Sequence, residues 1–111
     1  MGKYLVAMFA GGLAGMAGCA AAGARELPGD AALGHALALR VCVGCHEIGP
    51  GEREGVLPDP PGFQILADDP AMTPLALRVF LTTPHANMPN LILTPAETDD
   101  VIAWIYSLKG K

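Results

Sequence analysis

The apolar positions of this chain group into three helical stretches separated by segments rich in proline and glycine. In the first, Leu33, Leu37 and Val41 recur at helical spacing, with Leu39 displaced from the stripe, and Asp30 stands in front as an N-cap; a helix is expected from Ala31 to about Cys42. The second opens at Thr73 with Pro74 at the tolerated first position, runs through Leu75, Ala76, Leu77, Val79 and Phe80, and stops before Pro84. The third has the clearest start: Thr94-Pro95-Ala96-Glu97 forms a capping box with proline at N1, and Asp99 and Asp100 add charge that suits a helix N-terminus. Val101, Ile102, Ile105 and Leu108 make its apolar stripe, Trp104 lies beside it, and Gly110 is a natural terminator. No strand periodicity stands out. The stretch from His46 to Met72 reads as one long, proline-punctuated loop, a length that argues for something to wrap around. The expectation is an all-α fold of about three main helices and long loops, with no internal repeat and no second domain.

The first 24 residues do not share this pattern. Lys3 is followed by an uncharged run of apolar and glycine residues that ends in Ala22-Gly23-Ala24, matching a small-residue cleavage site before Arg25. Residues 1–24 are therefore read as a bacterial-type secretory signal and 25–111 as the folded domain, which implies a soluble periplasmic protein. Two alternatives remain open. Met16-Ala17-Gly18-Cys19 resembles a lipobox and would place a lipid on Cys19, and an uncleaved run would be about long enough to anchor in a membrane.

The whole chain carries a formal charge of −4; without Lys3, the domain has six basic and eleven acidic residues, or −5. That balance excludes nucleic acid as a partner class. Lys109 and Lys111 are the only lysines of the domain, so no basic docking ring is available and a basic or neutral partner surface fits better. A domain this short buries too little to be robust without a staple.

Cys42-Val43-Gly44-Cys45-His46 supplies one. Two residues between the cysteines let one tight turn present both thiols to one edge of a porphyrin, and the next imidazole falls under the iron; the motif is a c-type haem attachment site. The competing readings lack context. A thiol redox pair wants a preceding strand and a βαβ unit, and a zinc site wants two more ligands. Cys19 lies in the N-terminal run, and His35 and His85 lack metal-finger spacing. With both domain cysteines consumed by one covalent haem c, no disulfide is expected.

Taken together, a helix leading into Cys42-x-x-Cys45-His46, a proline loop, a short helix, an Asn87-Met88-Pro89 loop and a terminal helix bearing Trp104 resemble the class I, monohaem bacterial cytochromes c over essentially all of residues 25–111. The resemblance implies an all-α fold with crossing first and last helices and a haem edge open to solvent, and a role in one-electron transfer rather than enzymatic turnover. It implies His46 and Met88 as axial iron ligands, with His85 the alternative to Met88. It further implies a proline carbonyl that accepts from the ligating imidazole, best matched by Pro61 in Pro60-Pro61-Gly62-Phe63, with Pro50 weaker, and Phe63 packing on haem. Gly34 matches a family glycine at the helix crossing, opposite Trp104. The chain departs from the family at Ala38, where many members carry an aromatic residue. The implied partners are transient redox proteins (a dehydrogenase, oxidase or reductase), met by a monomer, with membrane contact only if Cys19 is lipidated or the signal retained. The alternatives are a haem enzyme or gas-binding protein with an open sixth position, and a dedicated cytochrome subunit of a dehydrogenase complex.

Overall fold

The computed structural model describes residues 26–55, 60–83, 85, 88 and 91–111. The leader 1–24 with Cys19, and Pro84, Asn87 and Pro89, lie outside the described residues. Four helices follow in order: α1 (Ala31–Val41), α2 (Phe63–Asp68), α3 (Pro74–Thr82) and α4 (Pro95–Ser107). The described residues contain no strand. The described fold is all-α, as the sequence predicts.

The caps behave as their residues dictate. The Asp30 carboxylate accepts from the Ala32 and Leu33 N–H groups, and Thr73 accepts from Ala76. At α4 the capping box is complete: Thr94 Oγ1 accepts from Glu97 N, and Glu97 Oε2 accepts from Thr94 N at 2.8 Å. Helix α2 lies inside the stretch expected to be loop. It has only six residues, too few for a readable period, and its N-cap, Gly62, has no side chain to signal a start.

The core forms where α1 crosses α4. Val101, Ile102, Ile105 and Leu108 are all buried, as the α4 stripe predicts, and Thr98 joins them with its hydroxyl bonded to Thr94 O at 3.0 Å. On α1 the buried face differs from the expected one. Gly34, Leu37 and Ala38 point inward, whereas Leu33 is 60% and Val41 43% exposed. The reason is the closeness of the crossing. A Cβ on Gly34 would overlap the Asp100 carbonyl, so small residues of α1 take the contact line beside Leu37, and of the expected stripe Leu33 and Val41 are turned outward. Fully burying a Val, Leu, Ile or Phe side chain contributes roughly 1.5–3 kcal/mol before entropy is counted.

Ala38, where the chain departs from the family pattern, is completely buried at the crossing. The ring of His35 stacks on Trp104 at 4.2 Å between centroids, tilted by 34°. The indole Nε1 donates to Ile48 O at 2.9 Å and so ties the loop after α1 to α4. At the other end of α4, Gln64 Nε2 donates to Leu108 O and Tyr106 Oη to Met72 O, at 2.8 and 2.7 Å. Met72 fills a half-buried position against the core. No helix among the described residues is long and apolar enough to cross a membrane.

Candidate haem-attachment site

Helix α1 hands the chain directly to the Cys-x-x-Cys-His segment. The Cys42 N–H closes the last helical turn on Ala38 O at 2.8 Å, and Val43 N reaches the same carbonyl. The Cys42 carbonyl then accepts from both Cys45 N and His46 N, at 3.0 and 2.8 Å. One continued turn therefore carries both thiols and the imidazole, which is the geometry the two-residue spacing requires. Glu54 N donates to Val43 O at 3.0 Å, folding the following loop back onto this turn.

Both cysteines are free thiols, Cys42 buried and Cys45 half-buried. Burial, reinforced by the neighbouring Cys45, pushes the Cys42 thiol up to about 11. A thiol held protonated is a poor nucleophile, the opposite of the depressed thiolate that a thiol oxidoreductase needs. Among the described residues, no group of three or more His, Cys, Asp and Glu side chains gathers at metal-binding distance, as a structural zinc site would require.

His46 is held from one side. Its Nδ1 donates to Pro61 O at 2.8 Å, and its ring packs at 5.4 Å on that of Phe63. Pro61 and Phe63 reach it because Phe63 N donates to Glu47 O, also at 2.8 Å, pinning the Pro60–Phe63 segment against the residue next to His46. Phe63 is buried in the protein core and serves as the first residue of α2. Pro50 makes no such contact; it lies exposed in the loop.

The residues of the α3–α4 connection sit as follows. Met88 is half-buried, and its N–H reaches His85 O at 3.3 Å. His85 is exposed; its Nδ1 donates to Thr83 O at 3.1 Å and its ring meets Phe80 edge-on at 5.5 Å.

These residues suit a covalent haem in their chemistry. Two unpaired thiols share a turn, and the imidazole spends Nδ1 on a carbonyl, which leaves Nε2 as its metal-binding nitrogen. Large apolar side chains on α2 and α3, Ile65, Leu75, Val79 and Phe80, are left exposed by the protein itself, as a fold built around an apolar disc would leave some of them. A cleft whose lining includes Glu47, Pro61, Gln64 and Ile65 takes in residues that hold or flank His46, but neither thiol nor the imidazole itself.

A helical domain organised in this way around a Cys-x-x-Cys-His turn belongs to the c-type cytochromes. Comparison with curated proteins carries that assignment: the chain is 34% identical over 90 residues to cytochrome c-552 of Bradyrhizobium diazoefficiens (strain JCM 10833), a match spanning 81% of this chain and 86% of the relative. No protein-family model matches the chain, and no solved structure matches it.

Three features of the site carried no readable signal in the sequence: the His35–Glu52 pair, the Trp104–Ile48 hydrogen bond and the Phe63–Glu47 hydrogen bond. Each joins residues 16 to 56 positions apart through a loop.

Proposed function

We propose that this c-type cytochrome is a class I, monohaem electron carrier of the periplasm, with haem attached through Cys42 and Cys45 and iron ligated by His46 and Met88. The observation that carries the reading is the His46 Nδ1–Pro61 carbonyl bond, 2.8 Å long, directly after the turn that bears both thiols. A ligating imidazole needs its other nitrogen engaged in this way, both to fix the ring and to raise its basicity. The resemblance to cytochrome c-552 supports electron transfer as the role.

Haem supplies a metal that exchanges one electron between ferrous and ferric states. The protein's part is to hold the ligands still while charge changes. His46 is fixed by Pro61 and by the Phe63 ring. Met88 stands in a connection flanked by prolines, whose fixed φ stiffens the backbone. A thioether ligand favours the ferrous state and sets the potential above that of a bis-histidine site. The acidic, lysine-poor surface suits brief encounters with basic or neutral redox proteins, of the small-interface kind such exchange uses.

The test is the absorption spectrum of the ferric protein after periplasmic expression. Haem retained in the denatured chain and a far-red sulfur-to-iron band, lost in Met88→Ala, are the expected results. A high-spin resting spectrum in the unmutated protein would overturn the closed sixth position and restore the gas-binding or enzymatic alternative.

A further inference from the structure

The imidazole of His35 lies between two groups. One face stacks on Trp104 at 4.2 Å, and Nε2 donates to the Glu52 carboxylate, whose two oxygens lie 2.9 and 3.0 Å away. Both side chains of the pair are about one-third exposed, so the contact alone contributes little to stability. What it holds is more telling than its strength.

Glu52 closes the loop that follows His46. Its carbonyl accepts from Ile48 N and its N–H donates to Gly49 O, both at 3.0 Å. The Ile48 carbonyl is held by the Trp104 indole. A Cβ on Gly49 would collide with the Glu52 carboxylate, so the pair sits tightly over the loop. At its near end this loop begins with Glu47, which is bonded covalently to His46 and whose carbonyl holds Phe63 N at 2.8 Å. That last bond places Pro61, the acceptor of His46 Nδ1. The covalent neighbour of the imidazole and its hydrogen-bond acceptor are thus set by one loop, and His35, through Glu52 and Trp104, staples that loop to α1 and α4.

We propose that His35, acting through Glu52, is a positioning residue for His46: it holds the Glu47–Glu52 loop at the distance that keeps the Pro61 carbonyl on His46 Nδ1. The inference rests on the reading of His46 as the proximal ligand. Breaking the staple lets the loop relax, lengthens the Nδ1–carbonyl bond and makes the imidazole a weaker electron donor. A weaker donor stabilises ferric iron less, so the potential rises.

The experiment uses the haem-loaded protein and four variants: His35→Ala, Glu52→Ala, the double variant, and Glu52→Gln, which retains an oxygen acceptor. Three quantities are read: the midpoint potential, the proton resonance of the His46 ring N–H, and the thermal midpoint. In wild type, a His46 ring resonance shifted by bound iron establishes the ligation on which the inference rests; its absence would refute that ligation and with it the inference. With it present, both alanine variants are expected to raise the potential and move the His46 N–H signal. The double variant should do no more than either single one, and Glu52→Gln should restore most of the wild-type values. Alanine variants that lower only the thermal midpoint, leaving potential and signal in place, would overturn the positioning role and leave the ligation standing. Additive shifts in the double variant would overturn the pairwise route through Glu52.

Discussion

The crossing of α1 and α4 makes a sharp prediction at Gly34. Replacing it by alanine is favourable on helix propensity, by about 0.8–1 kcal/mol. Against this, the new Cβ would overlap the carbonyl carbon and oxygen of Asp100 and approach the Trp104 Cβ to 3.0 Å. The atoms struck are backbone atoms within α4, and Asp100 is further tethered because its Oδ1 accepts from Asp30 N at 2.7 Å. Nothing local can yield, so the helices must part, loosening Ala38 and Val101, both fully buried at present. Overpacking a well-filled core costs about 1–3 kcal/mol, and a backbone clash belongs at the upper end. The net loss is therefore about 2 kcal/mol, a fall of about 8–16 °C in Tm for a domain of this size. The assay is thermal unfolding of the haem-loaded protein followed by far-ultraviolet circular dichroism, with haem content matched. Gly44→Ala is the control: its Cβ meets nothing within 4 Å and should change stability by about 0.5 kcal/mol or less. A Gly34→Ala protein at least as stable as wild type would refute the close-crossing argument, because the clash would then cost no more than the propensity gain returns.

Trp104→Phe keeps an aromatic ring for His35 but leaves the Ile48 carbonyl without its indole donor; a loss of about 1–3 kcal/mol is expected in denaturant unfolding, and a smaller one would mean water replaces the donor without cost. Two carboxyls give the fold an acid limit. The Thr94 backbone N–H, with the Thr94 side chain, holds Glu97 below the usual carboxylate range, and the Gln64 amide, with the Gly110 N–H, does the same for Asp68. A carboxyl depressed in the folded state contributes its full stability above its unfolded pKa and loses it as pH falls through the folded one. The α4 N-terminus and the chain end bonded to α2 are therefore expected to loosen below the ordinary carboxylate range; Asp68→Asn should flatten that part of the stability–pH profile, and an unchanged profile would remove Asp68 from the account.

Much of this protein can be read without coordinates, and the limit follows from the range of the forces involved. Caps and periodicity act within a few residues, so Asp30, Thr73 and the Thr94–Glu97 box announce α1, α3 and α4 in the sequence itself. The Cys42–His46 motif is equally local, because its chemistry depends on one turn of backbone. Helix α2 escaped because six residues complete less than two turns and Gly62 offers no capping side chain. The inward face of α1 was decided by tertiary structure: Leu33 and Val41 satisfy the period, yet the distance between two helix backbones gave the contact line to Gly34 and Ala38. The same holds around His46. The sequence by itself determined that an imidazole follows two thiols, and family resemblance named Pro61. The path by which Glu47, Phe63, Trp104, Glu52 and His35 converge on that imidazole exists only once α1 and α4 have crossed, since each of its links joins residues with no local preference for one another.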